Sequence, residues 1–315
     1  MRGALVLVAV VLGACKTRPP APAEPPRPQA SARFAPADGL PGCRLYGEPR
    51  AVGRVPLALA ELSGLAASAR HPGVFWAHND SGNAPVLFAL DVTGKVLATV
   101  NLTGLGAGEA RGAGMDLEDV AVGPCAPGEE RPCVWLADTG DNFERRKQAR
   151  LLRLPEPERV EDGSAAVEVL AFAWPDRPHD AEALVLEPGT GRPALLTKER
   201  DSLGELFVLE GLTPGGVGRA TSLGTLRAPG NSDWRTTAAA LHASGQRMLV
   251  RTYTRVWEVR QPGATRLEDL VRGQVVEVPG TSQAQAEALT WLPGERGYLL
   301  GSEFAGQVLS QVDCR

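Results

Sequence analysis

The sequence predicts an all-β fold, a single β-propeller with five four-stranded blades. Three observations lead to this prediction: a two-part phrase returns five times, no segment shows sustained helical periodicity, and the strand that opens the repeat region has no partner nearby. A repeat of roughly 40 to 50 or more residues with several short strands is typical of propeller blades. A β-sandwich of similar strand count is the alternative, but it does not explain the recurring phrase.

The recurring phrase consists of two hydrophobic strands joined by a turn. The first strand carries a key aliphatic residue, and the second ends in polar residues. The key aliphatics stand 55, 64, 57 and 48 positions apart, at Leu65, Val120, Leu184, Leu241 and Leu289. Each unit is therefore expected to begin with this pair of strands and to continue with two more.

The strands follow in order within each unit. They are predicted at 62–67, 74–78, 86–91 and 96–102; at 117–122, 134–138, 150–154 and 166–173; at 181–186, 194–198, 205–209 and 220–226; at 237–242, 248–253, 255–259 and 274–278; and at 289–292, 298–301 and 308–312. The stretch 205–236 is long enough to leave a sixth, degenerate blade open. The last unit lacks a fourth strand.

The missing strand is predicted to come from the start of the domain. Residues 43–55 form a strand without a local partner, and placing it at the edge of the last unit closes the ring. Closure removes a sheet edge that would otherwise be open to pairing with other chains. It would also bring Cys43 close to Cys314.

The N-terminus has the features of an export signal. Met1-Arg2 and an apolar run to Ala14 are too short to span a bilayer, and Leu12-Gly-Ala-Cys15 resembles the bacterial lipobox. This resemblance implies a signal peptide at 1–14, a lipid on Cys15 and membrane attachment in the bacterial cell envelope. Lys16 follows the cysteine, which favours the outer membrane or cell surface over the inner membrane. An ordinary secretory signal is the alternative.

Two further regions follow the cleavage point. Residues 15–42 are rich in proline and are interpreted as an extended tether. Residues 43–315 are interpreted as the propeller domain. Four cysteines remain there and allow three connectivities; Cys125–Cys133 and Cys43–Cys314 are the predicted disulfides. No CxxC pair is present, so a cysteine metal site is not expected.

The composition of the chain limits the classes of molecule that it is expected to bind. The net charge is -4 and no basic run is present, so nucleic acid is not an expected partner. The chain is expected to be a monomer that binds a small molecule or a protein.

Polar residues of the phrase are predicted to meet at one mouth of the central channel. Two places before the key aliphatics stand Ser63, Glu118, Glu182, Ala239 and Glu287. Converging carboxylates repel one another or recruit a cation, and oxygen ligands of this kind suit Ca²⁺. The predicted metal ligands are Glu118, Asp138, Asp141, Glu182 and Glu287. The alternative is that these acidic residues cap turns or pair with arginines.

Other polar residues at the strand ends are candidates for ligand binding. They are Asn79, Asp80, Lys198, Arg251, Tyr253 and Glu303. His78 is a candidate base. If the protein is an enzyme, a metal-dependent hydrolase is expected, with Glu118 or Glu182 as the general base.

Several motifs resemble a group of secreted bacterial β-propellers. They are Asn-Asp-Ser-Gly at 79–82, Leu-Glu-Asp-Val-Ala at 117–121, Ala-Asp-Thr-Gly-Asp-Asn at 137–142 and Arg-Thr-Tyr at 251–253. More remotely, the chain is similar to the regucalcin/gluconolactonase and phytase-like propellers. That resemblance implies a divalent cation in the channel, held by Glu61 or Glu118, Asn79, and Asp138 or Asp141. Lys198 and Arg251 depart from the pattern and favour an anionic ligand.

Three functions follow from these observations. The first is a surface lipoprotein that binds a ligand, with a Ca²⁺-like cation, at the channel mouth. The second is a lactonase or phosphoesterase at the same site. The third is an interaction scaffold whose carboxylates are paired with arginines; direct salt bridges from each glutamate to an arginine would favour it.

Overall fold

The computed structural model describes residues 34–230 and 233–315, and strands dominate it. The strands are β1 (Arg50–Arg54), β2 (Leu62–Ala67), β3 (Phe75–Asn79), β4 (Val86–Leu90), β5 (Val96–Thr103), β6 (Leu117–Pro124), β7 (Pro132–Asp138), β8 (Gln148–Pro155), β9 (Gly163–Ala166), β10 (Glu168–Ala173), β11 (Ala181–Leu186), β12 (Pro193–Thr197), β13 (Gly204–Glu210), β14 (Val217–Leu226), β15 (Thr236–Leu241), β16 (Arg247–Thr252), β17 (Val256–Arg260), β18 (Gln274–Val278), β19 (Ala288–Trp291), β20 (Gly297–Gly301) and β21 (Val308–Asp313). The other elements of these described residues are one α-helix, α1 (Leu267–Leu270), and 3₁₀ turns at Leu57–Leu59 and Glu109–Arg111. No helix among the described residues has the length and apolarity to cross a membrane.

Among the described residues the strands pair into five antiparallel groups of four, here called units. Unit 1 is β2–β3–β4–β5, unit 2 is β6–β7–β8–β10, unit 3 is β11–β12–β13–β14, unit 4 is β15–β16–β17–β18, and unit 5 is β19–β20–β21–β1. Parallel pairing of β10 with β14 joins units 2 and 3 into one sheet. The short strand β9 adds to the outside of unit 1 in parallel with β5.

The first strands of the units surround the centre of the molecule. β2, β6, β11, β15 and β19 each contact the first strand of the next unit, and β19 returns to β2. This arrangement confirms the predicted all-β propeller class. Residues 204–226 form the last two strands of unit 3 rather than part of a separate, sixth group.

The ring closes as predicted. β1 pairs antiparallel with β21, so the first strand of the domain completes the last unit. Cys43 and Cys314 form a disulfide beside this pairing, with 5.2 Å between their Cα atoms. Cys125 and Cys133 form the second predicted disulfide. Two disulfides in a chain of this kind favour an extracytoplasmic location, because such bonds persist in oxidising compartments.

Hydrophobic side chains fill the spaces between the units. In one cluster Trp76 and Leu87 of unit 1 pack with Val134 and Leu152 of unit 2. Strands such as β12 and β16 are buried along their whole length, because a neighbouring unit covers each face. Packing on both faces fixes the first and second strands firmly, and these are the strands that carry the polar ends.

The chain preceding the domain boundary is part of the fold. Arg247 donates to the carbonyls of Pro41 and Cys43, and Arg260 donates to those of Ala35 and Pro36. Glu258 lies buried between the two guanidinium groups, at 2.6 and 2.7 Å. The compact domain thus begins at Phe34, within the stretch interpreted as tether. The predicted signal peptide and Cys15 lie outside the described residues.

Candidate functional site: a carboxylate cluster at the channel mouth

A β-bulge recurs near the start of the first strand in four units. The register shifts between Leu117 and Asp119 in β6, and between Ala181 and Ala183 in β11, so Glu118 and Glu182 face no partner residue. In β15 the skipped residue is Thr237. A bulge leaves one residue out of the ladder and turns its side chain away from the regular pattern.

The bulge corrects the predicted register of unit 4. Thr237, not Ala239, is the equivalent of Glu118 and Glu182, and Ala239 rather than Leu241 is the equivalent of the key aliphatics. The Thr237 hydroxyl donates to the carbonyl of Ala286 in the next unit at 2.6 Å. Unit 4 therefore contributes no carboxylate at this position.

Seven carboxylates converge where the first strands begin and the second strands end. They form three groups whose oxygens lie within 4.8 Å of one another: Asp80, Asp116 and Glu118; Asp80, Glu287 and Glu303; Glu118, Asp180 and Glu182. We call these seven residues the mouth cluster. Its members come from units 1, 2, 3 and 5.

Burial and mutual repulsion raise the pKa values of Asp80, Glu118, Glu182 and Glu287. The pKa of Glu287 rises to about 9, because the carboxyl is buried and lies against Glu303. The pKa values of Glu182 and Asp80 rise to about 7 and about 6, again chiefly through burial. Glu118 is raised well above its usual pKa by burial and by the charges of Glu182 and Asp80. A group of this kind favours protons or an added cation.

One cation of the chain already occupies part of the site. The Lys198 ammonium lies 2.7 Å from a Glu182 oxygen. Burial works against the charged amine, yet the Glu182 carboxylate raises the pKa of Lys198 above its usual value. The Tyr253 ring contacts two cationic groups: the Lys198 ammonium lies 5.4 Å and the Arg235 guanidinium 5.1 Å from its centroid. The structure thus brings Lys198, Tyr253 and Glu182 together beside the mouth cluster.

Glu118 differs from Glu182 because it has no such partner. Its side chain is 4% exposed, and within the described residues its carboxylate has neither a hydrogen-bond donor nor an ion-pair partner. Gly140 passes so close that a Cβ atom there would overlap the carboxylates of Glu118 and Asp116. The backbone therefore leaves room for these oxygens and for little else.

Six predicted site residues are not members of the mouth cluster: Lys198 and Tyr253 lie beside it, and Asp138, Asp141, Asn79 and Arg251 are held by other partners. Asp138 is fully buried between Arg146 and Arg150, at 3.0 and 2.5 Å. Asp141 accepts the backbone N–H groups of Arg145 and Arg146. Both carboxylates are therefore occupied in positions where the sequence predicted metal ligands.

The side chains of Asn79 and Arg251 are also held by other partners, which include backbone groups. The Asn79 side chain bonds the Glu61 N–H and the Ala58 carbonyl. Arg251 is fully buried, donates to the Ala288 carbonyl at 2.8 Å, and has its pKa lowered to about 9 by burial. His78, the candidate base, is also buried, with its pKa lowered to about 4 by loss of hydration.

Three carboxylates with a part in the site were missed at the sequence level. Asp116 and Asp180 belong to the mouth cluster, and each stands two residues before a bulge glutamate. The repeated pattern Asp-x-Glu in units 2 and 3 would have revealed them. Asp119 lies deeper: it is 1% exposed and accepts the N–H groups of Val120 and Leu184, each at 2.8 Å.

Asp119 links three first strands. The Ala239 N–H also bonds its carboxylate, so strands β6, β11 and β15 donate to one side chain. Burial raises the pKa of Asp119 well above its usual value despite these bonds. No sequence pattern indicates that Asp119 links these strands, because the link depends on backbone amides from other units.

A separate cavity of about 420 Å³ lies at the other end of the first strands. Its walls are mainly apolar, and residues such as Ala67, Val122, Leu186 and Leu241 line it. None of the seven mouth-cluster carboxylates borders it. The mouth cluster and this apolar cavity therefore lie at opposite ends of the first strands.

Comparison with known proteins gives similarity of shape only. No protein-family model and no curated protein matches the sequence. A soluble aldose sugar dehydrogenase from Escherichia coli in its apo form is 10% identical, with a TM-score of 0.46, covering 85% of this chain and 99% of that one. The structure of U3-55K is 12% identical, with a TM-score of 0.39, covering 80% and 67%. The strand pairing itself identifies the chain as a β-propeller.

Proposed function

We propose that this protein is a lipid-anchored extracytoplasmic propeller that binds a divalent cation, and with it an external ligand, at the mouth cluster. The observation that carries this proposal is Glu118, a buried carboxylate without a hydrogen-bond or ion-pair partner in the described part of the chain. Ionising a carboxyl group in this position is costly unless a nearby cation compensates the charge. A cation beside Glu118 would supply that compensation.

The donor set indicates which cation. Asp80, Asp116 and Glu118 offer only carboxylate oxygens, which are ligands for hard cations. Ca²⁺ accepts six to eight oxygens in irregular arrangements, whereas Mg²⁺ requires near-octahedral geometry. Three carboxylates contributed by two units fit Ca²⁺ better, so Ca²⁺ is the proposed cofactor.

The scaffold function has less support. It requires each glutamate to be paired with an arginine. Among the described residues Glu182 is paired with Lys198, while Glu118 and Glu287 have no ion-pair partner. The cluster is therefore undercompensated, which favours binding over a purely structural role.

A metal-dependent hydrolase at the same site is the second candidate. The raised pKa of Glu182, about 7, is typical of a group that exchanges a proton near neutral pH. Lys198 holds that carboxylate in place at 2.7 Å. Lactones and phosphoesters are the substrates to test once a cation is bound.

Glu118→Gln is expected to remove a Ca²⁺ binding event, or to weaken it by about 100-fold, because one charged ligand becomes neutral. Isothermal calorimetry on the purified protein measures this, and detergent phase partitioning of the same preparation reports the lipid anchor. Glu199→Gln is the matched control, since Glu199 lies beside Lys198 but outside the cluster. Absence of Ca²⁺ binding in the wild type would refute the proposal, as would a titration that Glu118→Gln leaves unchanged.

Lys198→Met is expected to strengthen Ca²⁺ binding by about 10-fold, because it removes a positive charge from the site. Its long apolar side chain retains contact with Tyr253. The same titration gives the affinity. A weaker affinity in Lys198→Met would show that the ammonium supports the ligand geometry rather than competing with the cation.

A further inference from the structure

Four units place equivalent residues at the end of the second strand: Thr139 in unit 2, whose N–H bonds the Asp116 carbonyl at 3.1 Å, and Asp80, Lys198 and Glu303 in units 1, 3 and 5. The N–H groups of Asp80, Lys198 and Glu303 bond the carbonyls of Glu61, Asp180 and Gln285. Each of these carbonyls lies two residues before the position of Ser63, Glu182 or Glu287. The same backbone contact thus brings the residue at the end of the second strand beside Ser63, Glu182 or Glu287 of its own unit.

In unit 3 the two residues brought together in this way carry opposite charges. Lys198 lies 2.7 Å from Glu182, so an acid and a base of the same unit neutralise each other. In unit 5 the equivalent of Lys198 is Glu303, and it meets Glu287. Two carboxyl groups therefore face one another where unit 3 has an ion pair.

The unit 5 pair is enclosed, and within the described part of the chain neither carboxyl group has an ion-pair partner. Glu287 and Glu303 are 5% and 8% exposed. The Gln285 amide donates to Glu287 at 3.3 Å, while Arg251, the nearby guanidinium, is directed to the Ala288 carbonyl, Thr281 and Gln283. Asp80 completes the group, with its oxygen within 4.8 Å of the other two.

We infer that a second divalent cation binds between Glu287, Glu303 and Asp80, in the place that the Lys198 ammonium takes in unit 3. The inference rests on the proposed function, because Asp80 also belongs to the Glu118 group and would bridge the two cations. The mouth is thereby a two-cation centre whose carboxylates come from units 1, 2 and 5. Unit 3 contributes its own cation, the ammonium of Lys198.

Metal content at saturation tests the inference directly. Purified full-length protein is dialysed against Ca²⁺, and bound metal per chain is measured by plasma mass spectrometry. The wild type is expected to hold two ions. Glu303→Lys, which copies the unit 3 arrangement into unit 5, is expected to hold one. Glu303→Gln, with a smaller change in charge, is expected to lose the same ion or to bind it at least 10-fold more weakly.

The outcomes separate the inference from the proposed function. No bound Ca²⁺ in the wild type would refute both. One ion in the wild type, retained in Glu303→Lys and lost in Glu118→Gln, would refute the second site alone and would mean that Glu287 and Glu303 share a proton. Two ions in Glu303→Lys would also overturn it. If the Glu118→Gln variant keeps one ion and the Glu118→Gln/Glu303→Lys double variant keeps none, two separate sites are established.

Discussion

Asp119→Ala is expected to lower the free energy of unfolding by about 3 to 5 kcal/mol. The substitution leaves the N–H groups of Val120, Leu184 and Ala239 without their acceptor in a region closed to water. Each unsatisfied buried donor costs about 1 to 3 kcal/mol, partly offset because a buried carboxylate is removed. Chemical denaturation followed by tryptophan fluorescence measures the change.

Asp119→Asn provides the control for this prediction. It retains an oxygen that can accept N–H bonds, so its loss should be smaller than that of alanine. Equal losses in the two variants would mean that the charge, rather than the acceptor, stabilises the first strands. A loss below about 1 kcal/mol in Asp119→Ala would contradict the structural role altogether.

Stability in the presence of a chelator is expected to fall as the pH rises from about 5 to 9. Folding raises the pKa values of Asp80, Glu182 and Glu287 to about 6, about 7 and about 9. The folded state therefore holds these protons more tightly than the unfolded state. The resulting stabilisation is complete below pH 4 and is lost as the pH passes through these values.

The size of the pH effect follows from the same values. One unit of pKa difference corresponds to about 1.4 kcal/mol, so three such groups change the stability by several kcal/mol. Thermal melts at pH 5, 7 and 9 in EDTA measure the trend, and excess Ca²⁺ should restore stability mainly at pH 9. Glu287→Gln should flatten the trend. A melting temperature that stays constant from pH 5 to 9 in EDTA would contradict the prediction.

The propeller could be predicted because its repeat is visible as a recurring pattern of hydrophobic and polar side chains. Units 2, 3 and 5 share the pattern Glu-x-aliphatic at the start of the first strand, and a second hydrophobic strand follows in each. The closing strand was also predictable, since both the strand count and the cysteine positions required it. The short strand β9 was not, because Gly163–Ala166 has little hydrophobic character and pairs only at an edge.

The register of unit 4 shows where pattern reading fails. Residues 236–241 read Thr-Thr-Ala-Ala-Ala-Leu, and a run of alanines fits a strand equally well in several registers. Only the position of the bulge identifies Thr237 as the equivalent of Glu118 and Glu182. Likewise, Asp138 and Asp141 have the residue types of metal ligands, but the arginines that occupy Asp138 follow eight and twelve residues later.

The order in which the chain leaves the cytoplasm bears on how the ring closes. If it crosses the membrane with its N-terminus first, Cys43, Cys125 and Cys133 emerge well before Cys314, the partner 271 positions from Cys43. Cys125 and Cys133 are eight positions apart and meet early. Cys43 must remain reduced, or be freed from wrong partners, until the last strand arrives. Oxidative maturation of this protein is therefore expected to depend on a thiol–disulfide isomerase, and β1 stays available to foreign strand edges until translocation ends.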